Sequence, residues 1–250
     1  MTTPIYVADD YGLAETIDRA ILELARRRAL DGASAVVVTS GLQHLAALRE
    51  LPHLKVGLHL CITEGRPASP PAALGALVTD DGRFGGLGRL ARLWLAGRLE
   101  AAALRKEIAA QIERLRAGAG RVDYVDGHQH VQLLPPVERA LEDVIRSAGL
   151  GALRVRLGRV RSGRLRHRLV LNALIGLRRA RSRALPFETT EDFVDYESFA
   201  DGTPCARSTE VMLHVAHPDV PDPSLDATSY PFAARVEQFQ RRVRATAGSR

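Results

Sequence analysis

Cysteine is nearly missing from this 250-residue chain: Cys61 and Cys205 are the only two. A pair so far apart is not a disulfide framework, and a chain this long buries enough core to need no covalent staple. A reducing, cytoplasmic setting is therefore expected. Aromatic residues are scarce as well, at 5%, with a single tryptophan. That is little material for the stacking platforms of single-strand nucleic-acid binders, and no nucleic-acid partner is expected. No apolar run approaches the ~20 residues that a membrane span needs. The segment Met1 to Tyr6 lacks the charged start and apolar stretch of a cleaved signal, and strand-like sequence begins almost at once.

Lysine occurs only at Lys55 and Lys106, so nearly all of the 35 basic residues are arginine. Against 29 acidic residues they give a net charge of +6. This bears on association with anions rather than on fold. The most basic stretch, residues 164–183, reads as an amphipathic helix. Its simplest reading is a solvated basic face with an apolar stripe of Leu165, Leu169, Leu174 and Leu177.

What is present is an alternation of strands and helices. Ile5 to Ala8, Ala33 to Val38, Lys55 to Leu60 and Val122 to Val125 read as strands, Leu153 to Leu157 as a fifth, and Val211 to Ala216 as a late one. Helices are expected over 13–28, from a cap at Ser40 to about Glu50, over 89–116 with a break near Gly97, and from Pro135 or Pro136 to Ser147. Another is expected from about Phe232. The proline- and glycine-rich stretch 63–88 reads as a long loop, residues 187–199 as acidic and irregular, and 218–223 as a loop. The pattern implies an α/β fold with a parallel sheet or barrel, as one domain over residues 1–250.

Five of the eight histidines, His59, His128, His130, His214 and His217, fall at or just past the carboxyl ends of these strands, as do Asp9, Asp10 and Asp126. In α/β folds that is the edge where ligands bind, so residues distant in sequence converge there. Imidazoles with a carboxylate form an open metal-ligand set, and a second carboxylate beside it can take a proton from water. Asp9 and Asp10 are adjacent and point to opposite sides of a regular strand, so one as ligand and one as base is a natural split. Each piece alone has a plainer reading: an Asp-Asp pair as a turn, His59 as a strand histidine, Cys61 as a buried thiol. Asp126-x-His128-x-His130 is the more specific signal.

Three segments carry a family resemblance: Val7-Ala-Asp-Asp-Tyr-Gly-Leu13, Val56-Gly-Leu-His-Leu60, and Val125-Asp-Gly-His-Gln-His-Val131 followed by Leu134-Pro135. In order and spacing they resemble the YdjC/ChbG family of carbohydrate deacetylases over essentially the whole chain. The resemblance implies an irregular, TIM-barrel-like (β/α) fold. It also implies removal of an N-acetyl group from an amino sugar in an oligosaccharide or glycoconjugate. Asp10, His59 and His128 would hold one divalent metal ion, magnesium or zinc. Asp9 would be the base, His130 would line the site, and Arg154 would contact substrate. The family's late histidine corresponds to His214 by counting along the strand and to His217 by the His-Pro dipeptide. Where the family often has a further histidine, this chain has Gln132. One family branch accompanies hopanoid lipid synthesis, and a homodimer is left open.

Two other classes compete. Another metal-dependent hydrolase, an amidohydrolase or phosphoesterase, would place its histidines or carboxylates differently: amidohydrolases carry His-x-His on the first strand, where this chain has Asp-Asp. A non-catalytic binder of anionic ligands would rely on the arginine-rich helix alone.

Overall fold

The computed structural model describes residues 4–39, 42–148, 154–155, 158–181, 190–217 and 219. Among these residues eight strands form one parallel sheet: β1 (Ile5–Tyr11), β2 (Gly32–Ala35), β3 (Lys55–Leu60), β4 (Tyr124–Gly127), β5 (Arg154–Val155), β6 (Arg159–Val160), β7 (Asp192–Asp195) and β8 (Thr209–Leu213). Their order is β5-β4-β3-β2-β1-β8-β7-β6. The first strand thus pairs in parallel with both the second and the last, as the closure of a barrel requires. Among the described residues β5 and β6 stand at the two ends of the sheet order, and the arrangement is TIM-barrel-like.

The helices are α1 (Glu15–Arg26), α2 (Leu42–Ala46), α3 (Gly86–Leu95), α4 (Ala101–Ala119), α5 (Pro135–Ser147), α6 (Leu165–Arg181) and α7 (Tyr196–Ala200). The break expected near Gly97 separates α3 from α4, and Gly97 takes the positive φ of 66° that the turn needs. Pro135 opens α5 as expected, where its missing N–H costs nothing. The apolar core lies between sheet and helices. Leu58 and Leu60 of β3, Ile17, Ile21 and Leu24 of α1, and Ile108, Ile112 and Leu115 of α4 belong to it, none more than 2% exposed.

One expectation is corrected and two are filled in. Residues 187–199 are not irregular throughout: β7 and α7 lie within them. The strand is hard to see because its first residue, Asp192, is buried and paired with Arg159 and Arg161. The long loop 63–88 is fastened to α4. Buried Glu107 of α4 accepts the N–H groups of Ala68 and Ser69, and Gln111 bonds both backbone groups of Cys61. Finally, α6 buries Leu171 and Ile175 and leaves Leu165, Leu169 and Leu177 exposed, so of the stripe seen in the sequence only Leu174 packs against the core. The expected cap at Ser40, the loop around Pro218 to Pro223 and the C-terminal helix from Phe232 fall outside the described residues, Asp219 excepted.

Candidate active site

The site grows from the strand register. His59 and Asp126 are direct partners across β3 and β4, so their side chains stand side by side. His59 Nδ1 lies 2.5 Å from Asp126 Oδ1, and the Ser34 hydroxyl donates to Asp126 Oδ2 at 2.5 Å. Ser34 Oγ is in turn 3.0 Å from the Tyr124 hydroxyl. The Tyr124 ring lies directly over Gly57, where a Cβ would meet ring carbons at 2.1 to 2.5 Å. A glycine at 57 therefore leaves room for the Tyr124 ring. This chain from Gly57 through Tyr124, Ser34 and Asp126 fixes the tautomer and tilt of His59, leaving Nε2 facing Asp10 at 3.2 Å.

β1 departs from regular geometry at this point. Its pairing with β2 shifts register between Ala8 and Tyr11, and Asp10 takes φ 70°. The left-handed residue breaks the strand alternation, and Asp9 and Asp10 both reach His59. Oxygen and nitrogen atoms of Asp10, His59 and His128 lie within 4.8 Å of one another, as do those of Asp9, His59 and Asp126. His128 Nδ1 is 3.0 Å from Asp10 Oδ1, and His214 Nε2 is 3.6 Å from Asp10 Oδ2. The His59 and His128 rings meet edge to face, 5.5 Å between centroids.

Electrostatics follow from this crowding. Burial alone would push the Asp10 carboxyl up. Hydrogen bonds from His128 and His59 and the charges of His59 and His214 outweigh burial, holding it well below the usual carboxylate range. Burial likewise opposes charge on His59, yet Asp126 and Asp9, with hydrogen bonds to Asp10 and Asp126, raise it well above an ordinary histidine. His128 is raised to about 10; burial works against this, and the bonds to Asp10 and Glu64 prevail. In the absence of a metal these imidazoles carry protons that a divalent cation would replace. Asp10, His59 and His128 could hold such an ion: two imidazoles, one carboxylate, and an outer-sphere carboxylate on His59 make a usual open donor set.

The remaining expected residues separate. His217 is not brought to Asp10. Its backbone N–H bonds Thr16 of α1, and its Nε2 lies 3.1 Å from Glu23. His130 follows His128 with both Gln129 and His130 at positive φ, and its ring packs against His167 of α6 and Phe193 of β7. Arg154 opens β5; its side chain lies outside what the structure describes. Glu64 was missed by sequence reasoning: its Oε1 is 3.4 Å from His128 Nε2 and accepts from Gln129 Nε2 at 3.0 Å. A lone glutamate in a loop gives no signal of this. Ser34 and Tyr124 were missed too, although alternation along β2 and β4 could have placed them on the His59 side.

The parallel β/α sheet gathers carboxylates and imidazoles at the carboxyl ends of β1, β3, β4 and β8, the edge where ligands bind in such folds, and these groups could hold a metal ion. The comparisons narrow the class. The family model described as YdjC-like protein matches residues 5–245, and the chain belongs to that family. A carbohydrate deacetylase of Danio rerio is 30% identical over 152 residues, 60% of this chain and 49% of that protein. Chitooligosaccharide deacetylases of Serratia marcescens and Proteus mirabilis are 32% and 36% identical over 150 and 135 residues, covering 57% and 52% of this chain and 55% and 50% of theirs. The chain matches about half the length of these relatives. A crystal structure from Enterococcus faecalis V583, of a protein whose name carries a proposed role in cellobiose-phosphate cleavage, superposes with a TM-score of 0.68. It covers 98% of this chain and 93% of that one at 18% identity, a likeness of fold.

Proposed function

We propose that this chain is a metal-dependent deacetylase that hydrolyses the N-acetyl group of an amino sugar in an oligosaccharide or glycoconjugate. The observation that carries it is Asp10: one buried carboxylate within reach of His59, His128 and His214, with Asp9 buried alongside. Family membership and deacetylase relatives support the same reading.

In this reading Asp10, His59 and His128 hold one divalent ion. When bound, the ion supplies Lewis-acid polarisation of the acetyl carbonyl and lowers the pKa of water. Two histidine ligands suit zinc, cobalt or manganese better than magnesium. Asp9 is the base: it takes a proton from the water that adds to the carbonyl carbon. Asp126 keeps His59 oriented. His214, with its side chain 32% exposed on the outer side of Asp10, gives a proton to the departing amine nitrogen as the C–N bond breaks. Acetate and the free amino sugar result. His217, engaged with α1, takes no part. His130 lines the mouth with His167 and Phe193, and Arg154 contributes to substrate binding.

The test is acetate release from a panel of N-acetylated sugars, before and after chelation and metal return. Release that stops with chelator and recovers with a divalent ion is expected. Release indifferent to chelator, or none with any sugar in the panel, would contradict the reading.

A further inference from the structure

α6 shows an apolar face to solvent. It docks on the sheet through Leu171 and Ile175, and Asn172 clamps it: Val160 N–H donates to Asn172 Oδ1 and Asn172 Nδ2 donates to the Val160 carbonyl, each at 2.9 Å. This clamp fixes which way the helix faces, so it cannot roll to hide its other side. That other side carries Leu165, Leu169, Val170 and Leu177, each 50 to 60% exposed, with Ala173 and Gly176 between them. Leu165, Leu169, Ala173 and Leu177 are spaced by four and form one continuous stripe.

The charge of the sequence in and around α6 is one-sided, although Arg159 and Arg161 of this stretch are paired with Asp192. From Val144 to Phe187 the sequence holds twelve arginines and no aspartate or glutamate, while the rest of the chain is net acidic. Arg164 and Arg166 are exposed beside Leu165. Leucines that reach into an apolar phase, flanked by cations that stay at its polar boundary, suit an interface with both properties. The helix lies along such a boundary rather than across it, since no described helix is long and apolar enough to cross a membrane.

We infer that α6 is a docking surface for an anionic lipid membrane, its leucines entering the acyl boundary and its arginines resting on headgroup phosphates. A second copy of the chain fits less well, because a two-fold contact would bring the same arginine-rich face against itself. A nucleic acid would satisfy the arginines and leave the leucines wet. The helix also meets His130, whose ring lies 5.8 Å from that of His167. On the reading proposed above, in which His130 lines the mouth of the site, docking through α6 brings that mouth toward the membrane surface.

The test is sedimentation of the full chain with vesicles of phosphatidylcholine alone, or with about a third phosphatidylglycerol. Binding to the anionic vesicles and not to the neutral ones is expected, weakened but not abolished by salt. Leu169→Gln/Leu177→Gln should lower partitioning about tenfold or more. Its urea midpoint and metal content should stay unchanged, since neither residue touches the site. Arg164→Gln/Arg166→Gln should weaken binding mainly at low salt. No binding to anionic vesicles would overturn the inference, as would binding that the leucine pair does not affect. A dimer in solution that the leucine pair turns into monomer would assign the face to a second copy instead, and tight salt-sensitive binding to DNA without vesicle binding would assign it to nucleic acid.

Discussion

Asp126→Asn perturbs the outer support of the site and leaves the reacting groups in place. Asp126 is fully buried and both oxygens are used, Oδ1 by His59 and Oδ2 by Ser34. Asparagine has the same shape, so Oδ1 still accepts from His59 Nδ1–H and the ring keeps its tilt. The hydrogen bond changes from charge-assisted to neutral, a loss of about 1–1.5 kcal/mol. The new amide also faces the Ser34 hydroxyl, which must turn its proton toward Tyr124. Weaker support lowers the basicity of Nε2, and the loss corresponds to about tenfold in ion affinity, at the lower end of the 10–100-fold typical of such partners. Competition against a chromophoric chelator measures it, with urea unfolding to show that the variant is folded. Asp126→Ala should lose more, because it strands the His59 N–H and leaves the Ser34 hydroxyl with Tyr124 alone. Ion affinity unchanged in a folded Asp126→Asn protein would refute the positioning role.

Two further outcomes follow from the same structure. Gly57→Ala should cost about 1–3 kcal/mol of stability through overlap with the Tyr124 ring, and Tyr124→Leu should relieve part of that cost; equal urea midpoints for Gly57→Ala and the parent would show that the ring has room. Asp18, raised to about 6 chiefly by burial and only partly relieved by the Gly12 N–H and by His44, binds its proton more tightly folded than unfolded. Native stability therefore falls as pH rises from about 4 through 6, and stays lower above. Asp18→Asn keeps the acceptor for Gly12 and should stabilise the protein by about 1–2 kcal/mol at pH 7.5, with little effect at pH 4, as read from urea midpoints. Destabilisation at pH 7.5 would contradict this.

Much of this was legible in the sequence because burial and strand polarity leave marks there. β1, β3, β4 and β8 are apolar runs that end in aspartate or histidine, and those ends carry Asp9, Asp10, His59, His128 and His214. What escaped was set by tertiary contact. β7 begins with a buried aspartate made tolerable by Arg159, Arg161 and the Ala206 N–H. The left-handed turn at Asp10, which aims two adjacent carboxylates at one histidine, has no mark in residue type, since a non-glycine residue seldom adopts it. His214 and His217 are equivalent by motif, and only the pairing of β8 with β1 and the contact of His217 with α1 tell them apart. Periodicity showed that α6 has an apolar stripe but not which side faces the sheet; Asn172, bonded to β6, decides that.

The division of labour between two neighbouring carboxylates is the centre of the account, and one titration addresses it: acetate-release rate against added divalent metal for Asp9→Asn and Asp10→Asn. Asp10→Asn should bind the ion weakly and regain part of its rate as metal is raised. Asp9→Asn should stay metal-replete and slow by about 10²–10⁴-fold at every concentration, having lost only the proton acceptor. An Asp9→Asn protein that arrives metal-free and is rescued by metal, beside an Asp10→Asn protein that is not, would contradict the assignment.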